Sequence, residues 1–234
     1  MSWFARFAGR RELPAKIAER LLAWRRLPEP DPAQIPRRWI VVDTETSGLN
    51  TARCSLIAIG AVAIEDNAVV VAPGFEVVLR QPAASSRENI EVHGVGAAAQ
   101  AHGADPLEAL LGFLEFARKD PLVAYHVPFD AAFLRRALKT HLGLRFGGEW
   151  VDIAVLAPLT CPEFARSQRG LDGWLARFGI DSGTRHNALA DAFATAQLFQ
   201  LITRRAAASG RERLCDLQMV AGEHAANTAR HRQA

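Results

Sequence analysis

The strongest constraint on the fold of this chain is a short apolar run that ends in two carboxylates. Residues 39–42 are Trp-Ile-Val-Val, and Asp43, Thr44 and Glu45 follow directly. Such a run predicts a buried strand, on which residues two positions apart project from the same face. Asp43 and Glu45 would then lie side by side at the strand end, where their mutual repulsion favours a bound divalent cation. The alternative is an ordinary solvated strand end, because isolated Asp-x-Glu tripeptides are common.

A second junction between a strand and a helix carries another acid. Residues 122–126 predict a strand, and an amphipathic helix follows with Pro128 in its first turn, where the missing N–H costs nothing. Asp130 lies in the same turn. Taken alone, it compensates the helix dipole, an effect of about 0.3–1 kcal/mol.

A third junction combines a histidine with an acid. Asn187 is a good N-cap for a helix that begins at Ala188. This places His186 just before the helix and Asp191 within its first two turns. Taken alone, a histidine in this position is more often a surface or capping residue than a catalytic one.

The motifs together resemble the DEDDh branch of the DnaQ-like 3′–5′ exonucleases, a family that includes the proofreading subunit of the bacterial replicative polymerase. Each motif is weak alone, but their order and spacing are typical of that family, and they extend over most of the chain. The residues that carry the resemblance are Asp43, Glu45, Asp130, His186 and Asp191. The family implies a ribonuclease H-like α/β fold, in which a mixed sheet is flanked by helices in a single exonuclease domain.

The resemblance also implies the chemistry. Two Mg²⁺ or Mn²⁺ ions about 3.5–4 Å apart can serve phosphodiester hydrolysis, and both ions prefer oxygen ligands. By resemblance, Asp43, Glu45 and Asp191 hold the catalytic metal, while Asp43 and Asp130 help to place the second. His186 would take the proton from the attacking water, a task that suits an imidazole with an unperturbed pKa of about 6.5.

Substrate contacts are expected from the same resemblance. The segment after the Asp-Thr-Glu motif lies along the terminal nucleotide in this family, so Thr46, Ser47 and Gly48 would supply polar contacts and Leu49 would contact a base. His93, in an apolar-His-Gly segment, is expected near the substrate.

The segment that leads to the third carboxylate departs from the family pattern. Tyr125 and His126 stand where the family usually has His-Asn. His126 could donate a hydrogen bond similar to that of the usual Asn, so we expect altered substrate preference or rate and not inactivity. Phe129, beside Asp130, is expected to be a core anchor in preference to a stacking platform.

The remaining chain supports an α/β architecture. Residues 40–43, 56–64 and 69–79 predict three successive strands with antiparallel pairing. Residues 105–118 predict a helix, and residues 150–153 a further short strand.

The expected organisation is a basic helical extension with a Pro-rich linker (1–36), an exonuclease domain (37–205) and a basic C-terminal helix or tail (206–234). Basic flanks around an acidic centre either help to attract nucleic acid or keep the chain soluble. The helical stripe of the extension has three open uses: to pack on the core, to bind a partner such as a polymerase, or to touch a membrane surface. The stripe consists of Leu13, Ile17, Leu21 and Trp24.

Cysteine usage and hydropathy predict a cytoplasmic protein. The three cysteines are widely separated and lack metal-ligand spacing, so we interpret them as reduced thiols. No signal-like segment is evident, and the most apolar run, residues 56–64, is too short to span a bilayer, so a membrane role is not favoured.

The prediction from sequence is therefore a metal-dependent enzyme that acts on single-stranded 3′ ends, with DNA favoured over RNA. Two alternatives stay open. One is an exoribonuclease that trims RNA 3′ ends, and the other is a weakly active, polymerase-associated nucleic-acid-binding module.

Overall fold

A computed structural model describes residues 12–165, 170–181, 183 and 186–219. The strands are β1 (Arg38–Thr46), β2 (Leu56–Glu65), β3 (Ala68–Val78), β4 (Leu122–Ala124) and β5 (Trp150–Asp152). The helices are α1 (Ala15–Arg25), α2 (Arg87–His93), α3 (Ala97–Ala101), α4 (Pro106–Ala117), α5 (Val127–Leu142), α6 (Ile153–Thr160), α7 (Gly170–Phe178) and α8 (Ala188–Ala207). Residues 214–219 are also helical.

The strands form one mixed sheet in the order β3-β2-β1-β4-β5. β1, β2 and β3 are antiparallel, whereas β4 is parallel to both β1 and β5. Asp66 and Asn67 connect β2 to β3 and both have positive φ, which is the conformation that a tight hairpin turn requires. The predicted antiparallel meander and the mixed α/β sheet are confirmed.

The two faces of β1 pack against different helices. Ile40 and Val42 belong to a core cluster with residues of α4 and α5, whereas Trp39 and Val41 belong to a cluster with residues of α8. This alternation is the period-two pattern of a strand that is buried on both sides. Side chains beyond Val42 therefore alternate between an α5 face and an α8 face of the sheet.

β4 ends two residues earlier than the sequence predicts. His126 has a φ of 76° and is the N-terminal flanking residue of α5, so the chain has already turned away from the sheet. The carboxylate of Asp152 holds this turn by accepting the backbone N–H groups of His126 and Val127. The prediction of a strand through Tyr125 and His126 is wrong for this reason.

α1 packs against α4. Ile17, Leu21 and Trp24 are buried in the same core cluster as α4 and α5. The guanidinium of Arg20 contacts Glu108 and Glu115 of α4, each at 2.6 Å. Of the three uses considered for this helix, its apolar stripe serves core packing; residues 1–11, which include further aromatic side chains, lie outside the described residues.

The C-terminal segment is anchored on the Pro-rich linker. Leu214 and Leu217 are buried, and the backbone N–H of Cys215 donates to the carbonyl oxygen of Pro32 at 2.9 Å. The linker is thereby joined by backbone hydrogen bonds to the start of the helical residues 214–219. In the part of the chain that the structure describes, no helix is both long and apolar enough to cross a membrane.

Candidate active site

Three carboxylates meet at the end of β1. Asp43, Glu45 and Asp191 each offer an oxygen atom, and these atoms lie within 4.8 Å of one another. Glu45 and Asp191 are buried, and Asp43 is half-buried. Asp43 and Glu45 share the α8 face of β1 because they are two residues apart, and α8 brings Asp191 to the same face. We call these residues the acidic trio.

A glycine on β2 allows α8 to approach the trio. Gly60 pairs with Asp43 across the β1–β2 ladder. A Cβ atom at Gly60 would lie 2.1 Å from the backbone carbonyl carbon of Ala188, the first residue of α8. The missing side chain therefore lets the start of α8 lie directly against the sheet. Sequence reasoning did not identify Gly60; its signal was a lone glycine inside a buried strand, which marks close backbone approach.

The turn into α8 joins His186 to the trio. The backbone N–H of His186 donates to Asp191 Oδ2 at 3.0 Å, and His186 has a φ of 60°. Asn187 caps the helix as predicted, because its Oδ1 accepts the Ala190 N–H at 2.9 Å. The imidazole of His186 is exposed to solvent. The turn thus orients one oxygen of Asp191 and leaves the histidine ring accessible.

Asp130 lies near the α5 face and is not a member of the trio. Its Oδ1 accepts a hydrogen bond of 2.7 Å from the hydroxyl of Thr44, which lies on β1 between Asp43 and Glu45. Burial raises the pKa of Asp130 to about 7, although the Thr44 hydrogen bond opposes the shift. A carboxyl with this pKa is only partly ionised near neutral pH, and a nearby cation would favour its ionised form.

Asp152 supports the segment that carries Asp130. In addition to the two bonds at the start of α5, its Oδ1 accepts the Ala154 N–H at 2.9 Å and caps α6. Burial raises its pKa, and the backbone donors of His126 and Ala154 partly offset this rise. The sequence predicted only that Asp152 lies within the short strand of residues 150–153. The structure shows that it links β5 to the first turns of α5 and α6.

The segment predicted to contact the terminal nucleotide is held by its own hydrogen bonds. The hydroxyl of Thr46 donates to the carbonyl of Gly48 at 3.0 Å, and Ser47 Oγ accepts the Ser55 N–H at 2.8 Å. Leu49 projects from this loop with 86% of its surface exposed. Contact between Leu49 and a base stays a prediction.

His93 and Phe129 have structural partners. The Nδ1 of His93 accepts the Val95 N–H at 2.9 Å, and its Nε2 lies 2.9 Å from Asn89 Oδ1. Burial lowers the pKa of His93, which favours the neutral ring that this pattern requires. The ring of Phe129 packs on Phe133 at a centroid distance of 4.9 Å. Direct substrate contact by His93 stays a prediction, as do the contacts predicted for the exposed His126.

The donor set of the trio fits a divalent cation. All three donors are carboxylate oxygens, which hard cations such as Mg²⁺ and Mn²⁺ prefer over nitrogen or sulfur ligands. Three acids within 4.8 Å of one another, two of them buried and one half-buried, repel each other, and a bound cation relieves that repulsion.

Comparison with known proteins decides the family. Residues 40–199 match the RNase_T family model, whose description is Exonuclease. The chain belongs to this exonuclease family. The match includes every residue of the acidic trio, together with Asp130 and His186. The predicted family and the predicted enzyme class, a nuclease that hydrolyses phosphodiester bonds, are confirmed.

Two sequence relatives illustrate the range of this family. A PolC-type DNA polymerase III of Thermotoga petrophila is 30% identical over 161 residues, which are 69% of this chain and 11% of the relative. The DNA polymerase III subunit epsilon of Buchnera aphidicola is 26% identical over 174 residues, which are 71% of each chain. This chain thus spans only about 11% of the PolC-type relative.

Solved structures support the fold. Exonuclease I of E. coli, in complex with a dT13 oligonucleotide, matches 73% of this chain and 42% of its own, with a TM-score of 0.61 and 16% identity. Exonuclease X, in complex with 5′ overhanging duplex DNA, matches 78% of this chain and 99% of its own, with a TM-score of 0.60 and 19% identity. Identities this low support a shared fold of the exonuclease type and leave the substrate of this chain open.

Proposed function

We propose that this protein is a metal-dependent 3′–5′ exonuclease that removes nucleotides from the 3′ end of single-stranded DNA. The observation that carries the proposal is the acidic trio, in which Asp43, Glu45 and Asp191 place oxygen ligands within 4.8 Å of one another. The DNA-bound structures similar to this chain and its polymerase III relatives support DNA as the substrate class.

The acidic trio and Asp130 are the proposed ligands of two Mg²⁺ or Mn²⁺ ions. Asp43, Glu45 and Asp191 would hold one ion, and Asp43 together with Asp130 would help to place the other. Bound metal supplies charge neutralisation at the phosphoryl oxygen and lowers the pKa of water. Burial of Asp130 supports this assignment, because its raised pKa of about 7 means that its anion is poorly compensated by the protein alone.

His186 is the proposed general base. Its backbone N–H is bonded to Asp191, so the ring is attached to the same turn as a metal ligand. The exposed imidazole can accept a proton from a water beside the trio and pass it to solvent. A His186→Ala variant should lose most of its rate and keep most of its metal affinity.

The loop from Thr46 to Leu49 is the proposed seat of the terminal nucleotide. Its internal hydrogen bonds hold the backbone before substrate arrives, which reduces the entropy lost on binding. The exposed Leu49 would contact a base face without reading its identity. Recognition of this kind tolerates any sequence.

A polymerase partner stays a proposal that rests on the names of the relatives. The apolar stripe of α1 already packs on α4, so a partner would have to use another surface of the extension. The sequence predicts that residues 1–32 are dispensable for hydrolysis. The burial of Leu21 and Trp24 adds that their removal should lower the melting temperature, which a thermal melt and a rate assay at low temperature would separate.

The test is degradation of 3′- and 5′-labelled single-stranded DNA and RNA in Mn²⁺, with EDTA and Asp43→Ala as controls. A ladder that shortens from the 3′ end, absent in both controls, is the expected result. Faster loss of RNA than of DNA would favour the exoribonuclease alternative. A folded, metal-binding protein that cleaves neither would favour the binding module, for which Tyr125 and His126 are the first positions to change.

A further inference from the structure

A cavity of about 310 Å³ opens beside the loop that follows the Asp-Thr-Glu motif. One wall is the end of that loop where it leads into β2, at residues 53–56. A second wall is the segment after β3, at residues 79–82. The third is α5, from Phe133 to His141.

The charge of this cavity distinguishes it from its neighbours. Arg53, Arg80, Arg136 and His141 line it, and no acidic side chain does so among the described residues. Of the three arginines, Arg80 pairs with Asp105 outside the lining, at 2.9 Å. The guanidinium of Arg136 lies 5.2 Å from the ring centroid of Phe133.

The neighbouring cavities contain acids as well as bases. The cavity beside Trp24 includes Glu29, Asp120 and Glu149, and the one beneath the linker includes Asp31, Glu65 and Asp66. Two further grooves also have an acid in their lining, Glu212 in the smaller groove and Glu12 in the larger one. A cavity lined by three arginines and a histidine, without lining acids, is suited to anions.

Two connections place the cavity next to the active site. Ser55 lines the cavity, and its backbone N–H donates to Ser47, which follows the metal-ligand motif by two residues. Phe133 also lines it, one helical turn beyond Asp130 on α5. Arg136 lies six residues beyond Asp130, or about 9 Å along the helix axis at 1.5 Å per residue.

We propose that this cavity binds phosphates of the strand that leads to the 3′ end, upstream of the nucleotide being removed. The proposal rests on the proposed function, and it adds a second contact region for the same substrate. A strand whose 3′ end lies at the acidic trio would therefore reach Arg136 with a phosphate upstream of the scissile one. Arginine is well suited to this role because its planar donors match phosphate oxygens. The contacts are with the backbone, so they add affinity without sequence preference.

The test compares substrates that do and do not reach the cavity. The variants are Arg53→Gln, Arg136→Gln and their combination, and the substrates are dT12 and dT3. Arg135→Gln is the matched control, since Arg135 lies on the same helix but directs a guanidinium nitrogen towards the carbonyl of Gly147, at 3.4 Å. Melting temperatures establish that each variant is folded, and Arg53→Gln changes only an exposed loop residue.

The double variant should lower the ratio of kcat/KM for dT12 to that for dT3 by about 3- to 10-fold, whereas Arg135→Gln should leave that ratio at the wild-type value. The slope of log affinity for dT12 against log salt should become shallower by about 0.7 for each phosphate that the variant no longer binds. A wild-type ratio and a wild-type slope in the double variant would overturn the inference while leaving the exonuclease proposal standing.

Failure of the exonuclease proposal is a separate result, namely a wild-type protein that cleaves neither oligonucleotide. Fluorescence anisotropy with labelled dT12 then still tests the cavity. Weaker binding by the double variant, with normal binding by Arg135→Gln, would support it. Equal affinity in all three proteins would refute it.

Discussion

The carboxylates on the two sides of β1 have different surroundings. On the α8 face, Asp43, Glu45 and Asp191 are grouped, with Asp43 half-buried and the other two buried, so three carboxylates share one small volume. Near the α5 face, Asp130 is buried and bonded to one hydroxyl, so burial opposes its charge. The proposed function therefore predicts that the grouped acids set metal affinity, and that Asp130 becomes a good ligand only when a cation offsets its burial.

The largest expected effect comes from removing one acid of the trio. Asp43→Ala or Asp191→Ala should lower hydrolysis by about 10³-fold, the upper end of the range lost when one preorganised electrostatic group is removed from an active site. The fold should remain, because each change removes mutual repulsion as well as contacts. Calorimetry in Mn²⁺ checks the mechanism: wild type should gain melting temperature with metal by mass action, and the variants should gain much less. A variant that keeps both the metal-dependent gain and the rate would remove that residue from the site.

Gly60→Ala should have the next largest effect, because it separates the two elements that form the trio. The new Cβ would lie 2.1 Å from the Ala188 backbone, so the start of α8 must move away from β1. Overpacking of this kind typically costs about 1–3 kcal/mol of stability. Hydrolysis should fall by about 10²-fold, since a displacement of about 1 Å in an active site can have that effect.

The control for this substitution is Gly96→Ala. Gly96 has a negative φ of −61° and nothing within 4 Å of the position its Cβ would occupy. Its variant should match wild type in melting temperature and rate. Equal behaviour of the two glycine variants would contradict the role assigned to Gly60.

Asp130→Asn tests whether ionisation of the buried Asp130 lowers the stability of the fold as pH rises. The carboxyl of Asp130 has a pKa of about 7 in the folded, metal-free protein, against about 3.9 in an unfolded chain. Between these values the unfolded chain has released the proton that the folded protein still holds, so stability falls as pH rises from about 4 to about 7. The neutral amide escapes this penalty. In EDTA, Asp130→Asn should therefore exceed wild type in melting temperature by a margin that grows from pH 5 to pH 8, while its rate in metal falls.

A margin that is the same at pH 5 and pH 8 would show that ionisation of Asp130 does not destabilise the fold. Asp105→Asn supplies a comparison, because Asp105 is exposed, caps α4 through the Leu107 N–H and pairs with Arg80 at 2.9 Å. Because it loses the charge that pairs with Arg80, this variant should be no more stable than wild type at either pH.

Local patterns were sufficient to predict most of the fold and the acids of the trio. The alternation along β1 predicted that Asp43 and Glu45 share a face, and the Asn187 cap predicted where α8 begins. Contacts between distant segments were not predictable in the same way. The close approach at Gly60 depends on the path of α8 over β2, and the truncation of β4 depends on Asp152, which lies on another strand. The separation of Asp130 from the trio was not predictable either, because it depends on how β1 is aligned against both α5 and α8.

Asp152→Asn has the smallest expected effect. It tests whether the hydrogen bonds that Asp152 makes to the start of α5 are needed to position Asp130. Asp152 accepts three backbone N–H groups, from His126, Val127 and Ala154, through two oxygens. An amide retains one acceptor and presents a donor where the other oxygen was, so at least one of these bonds is broken. We expect kcat to fall by about 10-fold through displacement of Asp130, with a modest drop in melting temperature, since the loss of one hydrogen bond costs about 0.5–1.5 kcal/mol.

The decisive measurement is the rate of the double variant that combines Asp152→Asn with Asp130→Asn. If Asp152 acts through Asp130, the two changes should not add in rate, because residues that act as a unit are non-additive. Fully additive losses would show that the Asp152 turn supports catalysis by another route, most directly through His126.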